Sequence, residues 1–168
     1  MRVAMYYNNQ DVRLEEIPEP RIGSGEILLR VEASGLCGSD VMEWYRIQRA
    51  PLVLGHEVSG QVVRVGSGVT RYGEGDRVVV THHVPCNACR HCLTGHHTVC
   101  DMLRETNFDP GGFSEYLRVP EINVDRGIFS IPDHVSFEEA SFTEPLACVY
   151  RGQRRANVQP GQSVLVLG

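Results

Sequence analysis

The chain has 168 residues, 42% of them hydrophobic, which is enough for one packed domain, or one domain and part of another, and argues against disorder. Its formal net charge of −5 and its scattered lysines and arginines argue against a nucleic-acid partner. No apolar segment has membrane-spanning length and no export signal follows Met1, so we expect a cytoplasmic protein with no membrane partner and with reduced cysteines.

Segments rich in branched residues predict short β-strands, separated by turns that contain glycine and proline. In chain order these segments are residues 12–17, 26–33, 58–65, 77–80, 113–119 and 122–131. Residues 81–112 interrupt the series with a polar stretch of little hydrophobic periodicity. Such a stretch needs something other than a hydrophobic core to hold its shape, and a bound metal ion would serve.

After Pro132 the pattern becomes helical. Ser136 begins a Ser-x-Glu-Glu start signal, and residues 145–156 are a run of good helix formers with arginines near the end. Cys148 in this helix is predicted to be a small buried hydrophobe. Residues 163–168 predict a final apolar strand. The whole pattern predicts a mainly β, barrel-like domain with flanking helices that leads into a second unit.

Four cysteines form a C-x2-C-x2-C-x7-C motif within the polar stretch. Four thiolates at these short gaps can wrap one tetrahedral ion, as in a structural zinc site. An iron–sulfur cluster is the rival, since four cysteines also suit one, but the polar surroundings favour zinc. Nearby histidines are alternative ligands, although we expect most of them to be solvated loop residues. The cysteines are Cys86, Cys89, Cys92 and Cys100, and the histidines are His82, His83, His91, His96 and His97.

A second group of metal-binding residue types lies in two glycine-flanked turns, Cys37-Gly38-Ser39-Asp40 and Gly55-His56-Glu57. Cys37, His56 and a carboxylate would supply three protein ligands and leave a fourth position for water or substrate. An open position of this kind is typical of a catalytic zinc.

These motifs together resemble the zinc-dependent medium-chain dehydrogenase family, which includes alcohol, sorbitol and threonine dehydrogenases. The resemblance covers essentially the whole chain, with the motifs in the family's order. It rests on the segments Cys37-Gly38-Ser39-Asp40, Gly55-His56-Glu57-x2-Gly60-x5-Gly66-x2-Val69, Gly75-Asp76-Arg77-Val78, the four-cysteine motif, Gly111-Gly112-Phe113-Ser114-Glu115-Tyr116 and Glu144-Pro145-Leu146-Ala147.

The resemblance implies a role for each site residue. Cys37, His56 and Glu144 would bind the catalytic zinc, Glu144 directly or through water, as in the polyol branch. Glu57 would exchange in as a ligand, and Asp40 would accept the free imidazole N–H of His56. Ser39 would hydrogen-bond the alcohol and carry its proton away. In this family zinc polarises the alcohol oxygen for reversible hydride transfer to NAD or NADP.

The implied architecture is a GroES-like, partly open β-barrel over residues 1–150, with its structural zinc lobe at 82–112. Residues 151–168 would hold the end of a connecting helix and the first strand of a truncated cofactor-binding Rossmann domain. Gly168 would be the first glycine of its phosphate-binding turn. The chain alone would then bind two zinc ions but turn over no alcohol, and the enzyme's substrate would be a small-molecule alcohol, polyol or ketone. The full-length enzyme would be a homodimer or homotetramer.

One departure from the family lies at Met42, where many relatives have a histidine that relays the proton onward. Glu43 is a candidate replacement, although a solvated surface carboxylate is its simpler interpretation. The next residues, Trp44, Tyr45 and Arg46, either line a substrate pocket or pack as bulky loop residues.

Two other functional classes compete with the enzyme. The first is a non-catalytic GroES-like zinc scaffold or interaction module, which would hold one zinc per chain rather than two. The second is a zinc-free quinone-reductase relative, which normally lacks both the cysteine lobe and the pair of Cys37 and His56. The complete set of candidate ligands favours the enzyme.

Overall fold

Short antiparallel strands make up most of the regular structure in the computed structural model, which describes residues 1–167. The strands are β1 (Arg2–Asn8), β2 (Asp11–Glu16), β3 (Ile27–Gly35), β4 (Leu52–Val53), β5 (Glu57–Val65), β6 (Arg77–Thr81), β7 (Tyr116–Val119) and β8 (Ile128–Ser130). The helices are α1 (Glu43–Arg46), α2 (Arg90–Leu93), α3 (Asp101–Glu105), α4 (Glu121–Arg126), α5 (Phe137–Ser141) and α6 (Thr143–Arg155). The predicted mainly β fold with flanking helices is confirmed.

The strands form two antiparallel sheets. One has the order β2-β1-β4 and the other β7-β3-β5-β6-β8. The long pair β3 and β5 lies at the centre of the larger sheet, and its alternate side chains enter the core, where Ile27, Leu29, Val58 and Val62 are almost completely buried. This pair carries the candidate site, because Cys37 follows β3 and His56 precedes β5.

Residues 122–131 were predicted as one strand, and that prediction is wrong. The structure has helix α4 up to Arg126 and only the short strand β8 after it. Asn123 on α4 is fully buried, and its Nδ2 donates to the carbonyls of Thr81 and His82 at 2.8 and 2.9 Å. Arg126 donates to the carbonyl of Cys86 at 2.6 Å. The helix thus fixes the start of the cysteine lobe to the end of β6.

Residues 163–167 also differ from the prediction, since they form no strand. A strand obtains its hydrogen bonds from a neighbouring strand, and residues 1–167 offer none there. The side chains from Val164 to Leu167 are accordingly 60–85% exposed. Gly168, the predicted cofactor-binding residue, lies outside the described residues.

The helix signals after Pro132 are confirmed. Ser136 Oγ accepts the N–H of Glu139, and Glu139 accepts the N–H of Ser136, which is the reciprocal capping arrangement at the start of α5. Helix α6 matches the predicted helix 145–156, although the observed helix begins two residues earlier, at Thr143. The predicted domain boundary at residue 150 lies inside this helix. No helix within residues 1–167 has both the length and the apolar character needed to cross a bilayer.

Candidate metal centres

The four cysteines of the polar stretch converge on one point. Their Sγ atoms all lie within 4.8 Å of one another, and all four thiols are free of disulfides. Cys89 and Cys100 each precede a short helix, which turns the chain back toward Cys86. The lobe buries Cys92 and Cys100, whereas Leu93, Val99 and Met102 remain exposed.

Backbone N–H groups point at the sulfurs of Cys86 and Cys100 and favour their ionised form, whereas burial raises the pKa of Cys92 to about 12. The N–H groups of Ala88 and Cys89 lie 3.5 and 3.2 Å from the Cys86 sulfur and lower the pKa of that thiol to about 6. The N–H of Cys86 likewise lowers the pKa of Cys100. Thiolates held this close repel each other unless a cation lies between them, so the donor set fits a closed tetrahedral zinc site.

Cys37, His56 and Glu57 form the second group, here called the mixed cluster. Their candidate ligand atoms also lie within 4.8 Å of one another. Gly55 has φ +91°, a value that favours glycine, and a side chain there would strike the ring of Phe113. This turn delivers His56 and Glu57 to the end of β3, where Cys37 lies.

Glycine is also required opposite Glu57. Gly35 is its direct partner in the β3–β5 pairing, and a Cβ atom at position 35 would collide with the Glu57 carboxylate. Sequence patterns do not reveal this relationship, because it depends on the register of two strands.

Asp40 is buried beside His56. Its Oδ1 lies 3.5 Å from His56 Nδ1, and its Oδ2 accepts the Cys37 N–H at 3.0 Å. Burial opposes ionisation of Asp40, but His56 and the Cys37 N–H outweigh it and lower the pKa of the carboxyl group. The Asp40 carboxylate in turn raises the pKa of His56 to about 9. With Nδ1 directed at Asp40, Nε2 is the imidazole nitrogen left for a metal.

The mixed cluster fits a catalytic zinc. One thiolate, one imidazole and one carboxylate are the donor types of such sites, and three protein ligands leave one position open. Glu144 lies outside this group of three in the described part of the chain, with its Oε1 3.5 Å from the Cys148 sulfur on α6. Cys148 itself is exposed, so the prediction that it is buried is wrong.

The histidines divide into two kinds. His91 and His96 are exposed, as expected for loop residues. His82 differs, because its Nδ1 is buried without a hydrogen-bond partner and its ring lies 4.7 Å from that of His56. Burial lowers the pKa of His82 to about 3, so this imidazole is neutral. His82 therefore packs against His56, next to the mixed cluster, instead of lying free in solvent.

Ser39 is held by Arg46, a contact that the sequence did not indicate. Arg46 donates from Nε to the Ser39 carbonyl at 2.9 Å and from Nη2 to Ser39 Oγ at 3.0 Å. The same Nη2 lies 3.5 Å from Asp40 Oδ1. One guanidinium therefore fixes both the hydroxyl and the carboxylate next to the mixed cluster.

A cavity of about 240 Å³ opens beside the mixed cluster. Tyr45 and Arg46 lie on its wall, so these two residues line a pocket and are not merely bulky packing residues of the loop. Trp44 is instead 71% exposed and does not line the cavity. The residues that line the cavity are Ser39, Asp40, Tyr45, Arg46, Arg49, Leu52, Val53, Leu54, Gly55, His56, His82, His83, Asn107 and Gly111.

Met42 and Glu43, where the sequence departs from the family's proton-relay histidine, do not line this cavity. Met42 is exposed. Glu43 accepts a hydrogen bond from the backbone N–H of Asn9 at 3.1 Å. Its contact is therefore with the β1–β2 turn, in agreement with a surface carboxylate.

Comparison with known proteins agrees with the fold and the motifs. A family model described as the alcohol dehydrogenase GroES-like domain matches residues 23–133. The chain therefore belongs to the family of GroES-like domains found in zinc-dependent medium-chain alcohol dehydrogenases.

Individual relatives lie in the polyol and amino-alcohol branches. Sorbitol dehydrogenase of Bacillus subtilis is 33% identical over the whole of this chain and 49% of its own length. L-threonine 3-dehydrogenase of Rhizobium etli is 36% identical over 92% of the chain and 46% of its own length. Galactitol-1-phosphate dehydrogenase of Escherichia coli superposes with a TM-score of 0.79 at 31% identity, covering 94% of this chain and 45% of that one. The chain spans about half the length of the relatives that it matches.

Proposed function

We propose that this chain is the catalytic domain of a zinc-dependent alcohol or polyol dehydrogenase that transfers hydride reversibly between a secondary alcohol and NAD or NADP. The observation that carries the proposal is the mixed cluster, in which Cys37, His56 and Glu57 meet and His56 lies on the wall of a small polar cavity. A pure scaffold has no need of a second, three-ligand group beside a cavity.

In this proposal the mixed cluster holds a catalytic zinc ion, and the four-cysteine lobe holds a structural one. A zinc ion at the mixed cluster supplies Lewis acidity, which stabilises the alkoxide form of the alcohol near neutral pH. Glu144 completes the site, directly or through water, with Glu57 exchanging in as a ligand; the Glu144 carboxylate lies 3.5 Å from the Cys148 sulfur on α6.

Ser39 exchanges the proton with the alcohol oxygen. A serine hydroxyl has two acceptor lone pairs and one donor hydrogen, and Arg46 occupies one lone pair. The second lone pair and the O–H remain for the substrate. Because Arg46 holds Ser39 at two atoms, the hydroxyl is oriented before the substrate arrives.

Asp40 acts on the metal site through His56. Its carboxylate lies at Nδ1 and fixes which imidazole nitrogen faces the cluster. His82, neutral and packed on the His56 ring, limits the movement of that ring without adding charge.

The relatives support the substrate class. They are named as dehydrogenases or reductases of polyols, diols and an amino alcohol, and another solved relative, from Sinorhizobium meliloti, is described as a zinc-binding dehydrogenase bound to NADP. We therefore propose a small alcohol as substrate. We also propose an assembly of two or four subunits, which the resemblance to the family implies.

The test is a steady-state assay of the native gene product with NAD or NADP and a panel of polyols, diols and amino alcohols. We expect activity that is lost in Cys37→Ala and falls by about 100-fold or more in Ser39→Ala, since a positioned proton-transfer group contributes about 10²–10⁴-fold. The matched control is Ser24→Ala, at an exposed serine whose hydroxyl donates to the Ser67 carbonyl, away from the cluster. Activity that survives Cys37→Ala would overturn the proposal.

A further inference from the structure

The wall of the cavity beside the mixed cluster holds more cationic than anionic side chains, although the chain as a whole carries a formal net charge of −5. Its wall holds two arginines, Arg46 and Arg49, against a single carboxylate, Asp40. Asp40 is shared between His56 and Arg46, each 3.5 Å from its Oδ1. It therefore does not neutralise Arg49, and the wall keeps an excess positive charge.

Both guanidinium groups lie over one aromatic ring. The Cζ atoms of Arg46 and Arg49 are 4.8 and 5.8 Å from the centre of the Tyr45 ring. Two like charges gathered on one ring repel each other, and an anion bound between them would relieve that repulsion.

The two arginines differ in what already holds them. Arg46 is bound to Ser39 and Asp40 and is only 15% exposed. Arg49 is exposed, and within residues 1–167 no carboxylate lies at salt-bridge distance from it. Arg49 is thus the cation on the wall that is available to a ligand.

We propose that the alcohol substrate carries an anionic group, either a carboxylate or a phosphate, which Arg49 and Arg46 bind while its hydroxyl group reaches Ser39 and the mixed cluster. The inference rests on the proposed function and adds the charge of the substrate to it. A guanidinium group presents paired donors that match either anion. The cavity of about 240 Å³ has room beside Ser39 for a small substrate.

The test titrates the full chain, loaded with zinc in the four-cysteine lobe and cobalt(II) in the mixed cluster, with two matched pairs of probes. The first pair is lactate and propane-1,2-diol, and the second is glycerol 3-phosphate and glycerol, all at one ionic strength. The visible absorption of thiolate-bound cobalt reports binding and verifies that each variant keeps its site. In at least one pair, we expect the anionic probe to bind about tenfold more tightly than its neutral partner, a difference of about 1.4 kcal/mol. The pair that shows this preference identifies the anion as a carboxylate or a phosphate.

The variants assign the preference to Arg49. Arg49→Ala is expected to bring the ratio of the anionic to the neutral probe's affinity close to one. Arg49→Lys is expected to retain part of this preference, because lysine keeps the positive charge but lacks the planar, paired donors of a guanidinium group. The control is Arg21→Ala, at an exposed arginine that does not line the cavity, which should keep the full ratio.

Two results would overturn the inference: equal affinities within both pairs, or an undiminished preference in Arg49→Ala. Its failure is distinguishable from failure of the proposed function. A cobalt band that responds equally to neutral and anionic alcohols leaves the dehydrogenase intact and removes only the anion preference. A chain that takes up no cobalt at Cys37 contradicts both.

Discussion

Gly35 and Glu57 face each other across the β3–β5 pairing, and the missing side chain at position 35 leaves the space that the Glu57 carboxylate occupies. The position of a candidate metal ligand is therefore set by a glycine on the neighbouring strand. Any side chain at position 35 would have to displace the carboxylate from Cys37 and His56.

The first prediction follows from this contact. Gly35→Ala should weaken metal binding at the mixed cluster by about tenfold or more, as for loss of a supporting contact, while the four-cysteine lobe keeps its ion. Competition with a chromophoric chelator measures the two affinities. The control is Gly73→Ala, because a Cβ atom at Gly73 meets nothing within 4 Å. Equal affinities in Gly35→Ala and the parent chain would show that Glu57 is not constrained in this way.

Asp40→Asn tests the orientation of His56. The amide keeps the size of the carboxylate but removes its charge beside Nδ1, so the affinity of the mixed cluster for zinc should fall by about 10- to 100-fold. The pKa of His56 in the metal-free chain, followed by NMR, should also fall from its raised value of about 9 toward the ordinary value. An unchanged histidine titration would contradict the assigned contact.

The cysteine lobe should depend on its metal for structure. Cys100→Ser is expected to bind one ion fewer per chain and to lose hydrogen-exchange protection around the four cysteines, because the bound ion stabilises this polar part of the lobe. Cys148→Ser is the control, since this exposed cysteine lies outside both clusters. Protection that persists in Cys100→Ser would mean that the lobe folds on its own.

His82 should make the chain sensitive to acid. Its folded pKa of about 3 lies below the ordinary value of 6.5, so the unfolded chain binds more protons between these values and stability falls as the pH decreases through that window. The slope is up to about 1.4 kcal/mol per pH unit. Thermal unfolding from pH 6.5 to 4.5 should show a shallower loss in His82→Gln than in the parent chain. His134→Gln, at an exposed histidine, should behave like the parent, and parallel pH profiles for His82→Gln and the parent would refute this role.

The parts of the fold and site that the sequence predicts are those encoded locally. The spacing of Cys86, Cys89 and Cys92 brings their sulfurs together through one turn, and the Ser136–Glu139 cap acts over three residues. Branched residues in β3 and β5 likewise determine two strands that the structure contains.

What the sequence does not predict depends on tertiary contacts. The apolar residues around Asn123 suit a strand or a short helix equally, and the bonds from Asn123 to Thr81 and His82 favour the helix. The burial of His82 follows from its packing on His56. The contact of Arg46 with Ser39 spans seven residues of irregular chain and has no signature.

The central claim is that a metal ion binds between Cys37 and His56, and anomalous X-ray scattering at the zinc edge, combined with elemental analysis, tests it most directly. The account predicts two ions per chain, one among the four cysteines and one in contact with Cys37 Sγ and His56, the second being lost in Cys37→Ala. A single anomalous peak confined to the four cysteines in metal-replete protein would contradict it.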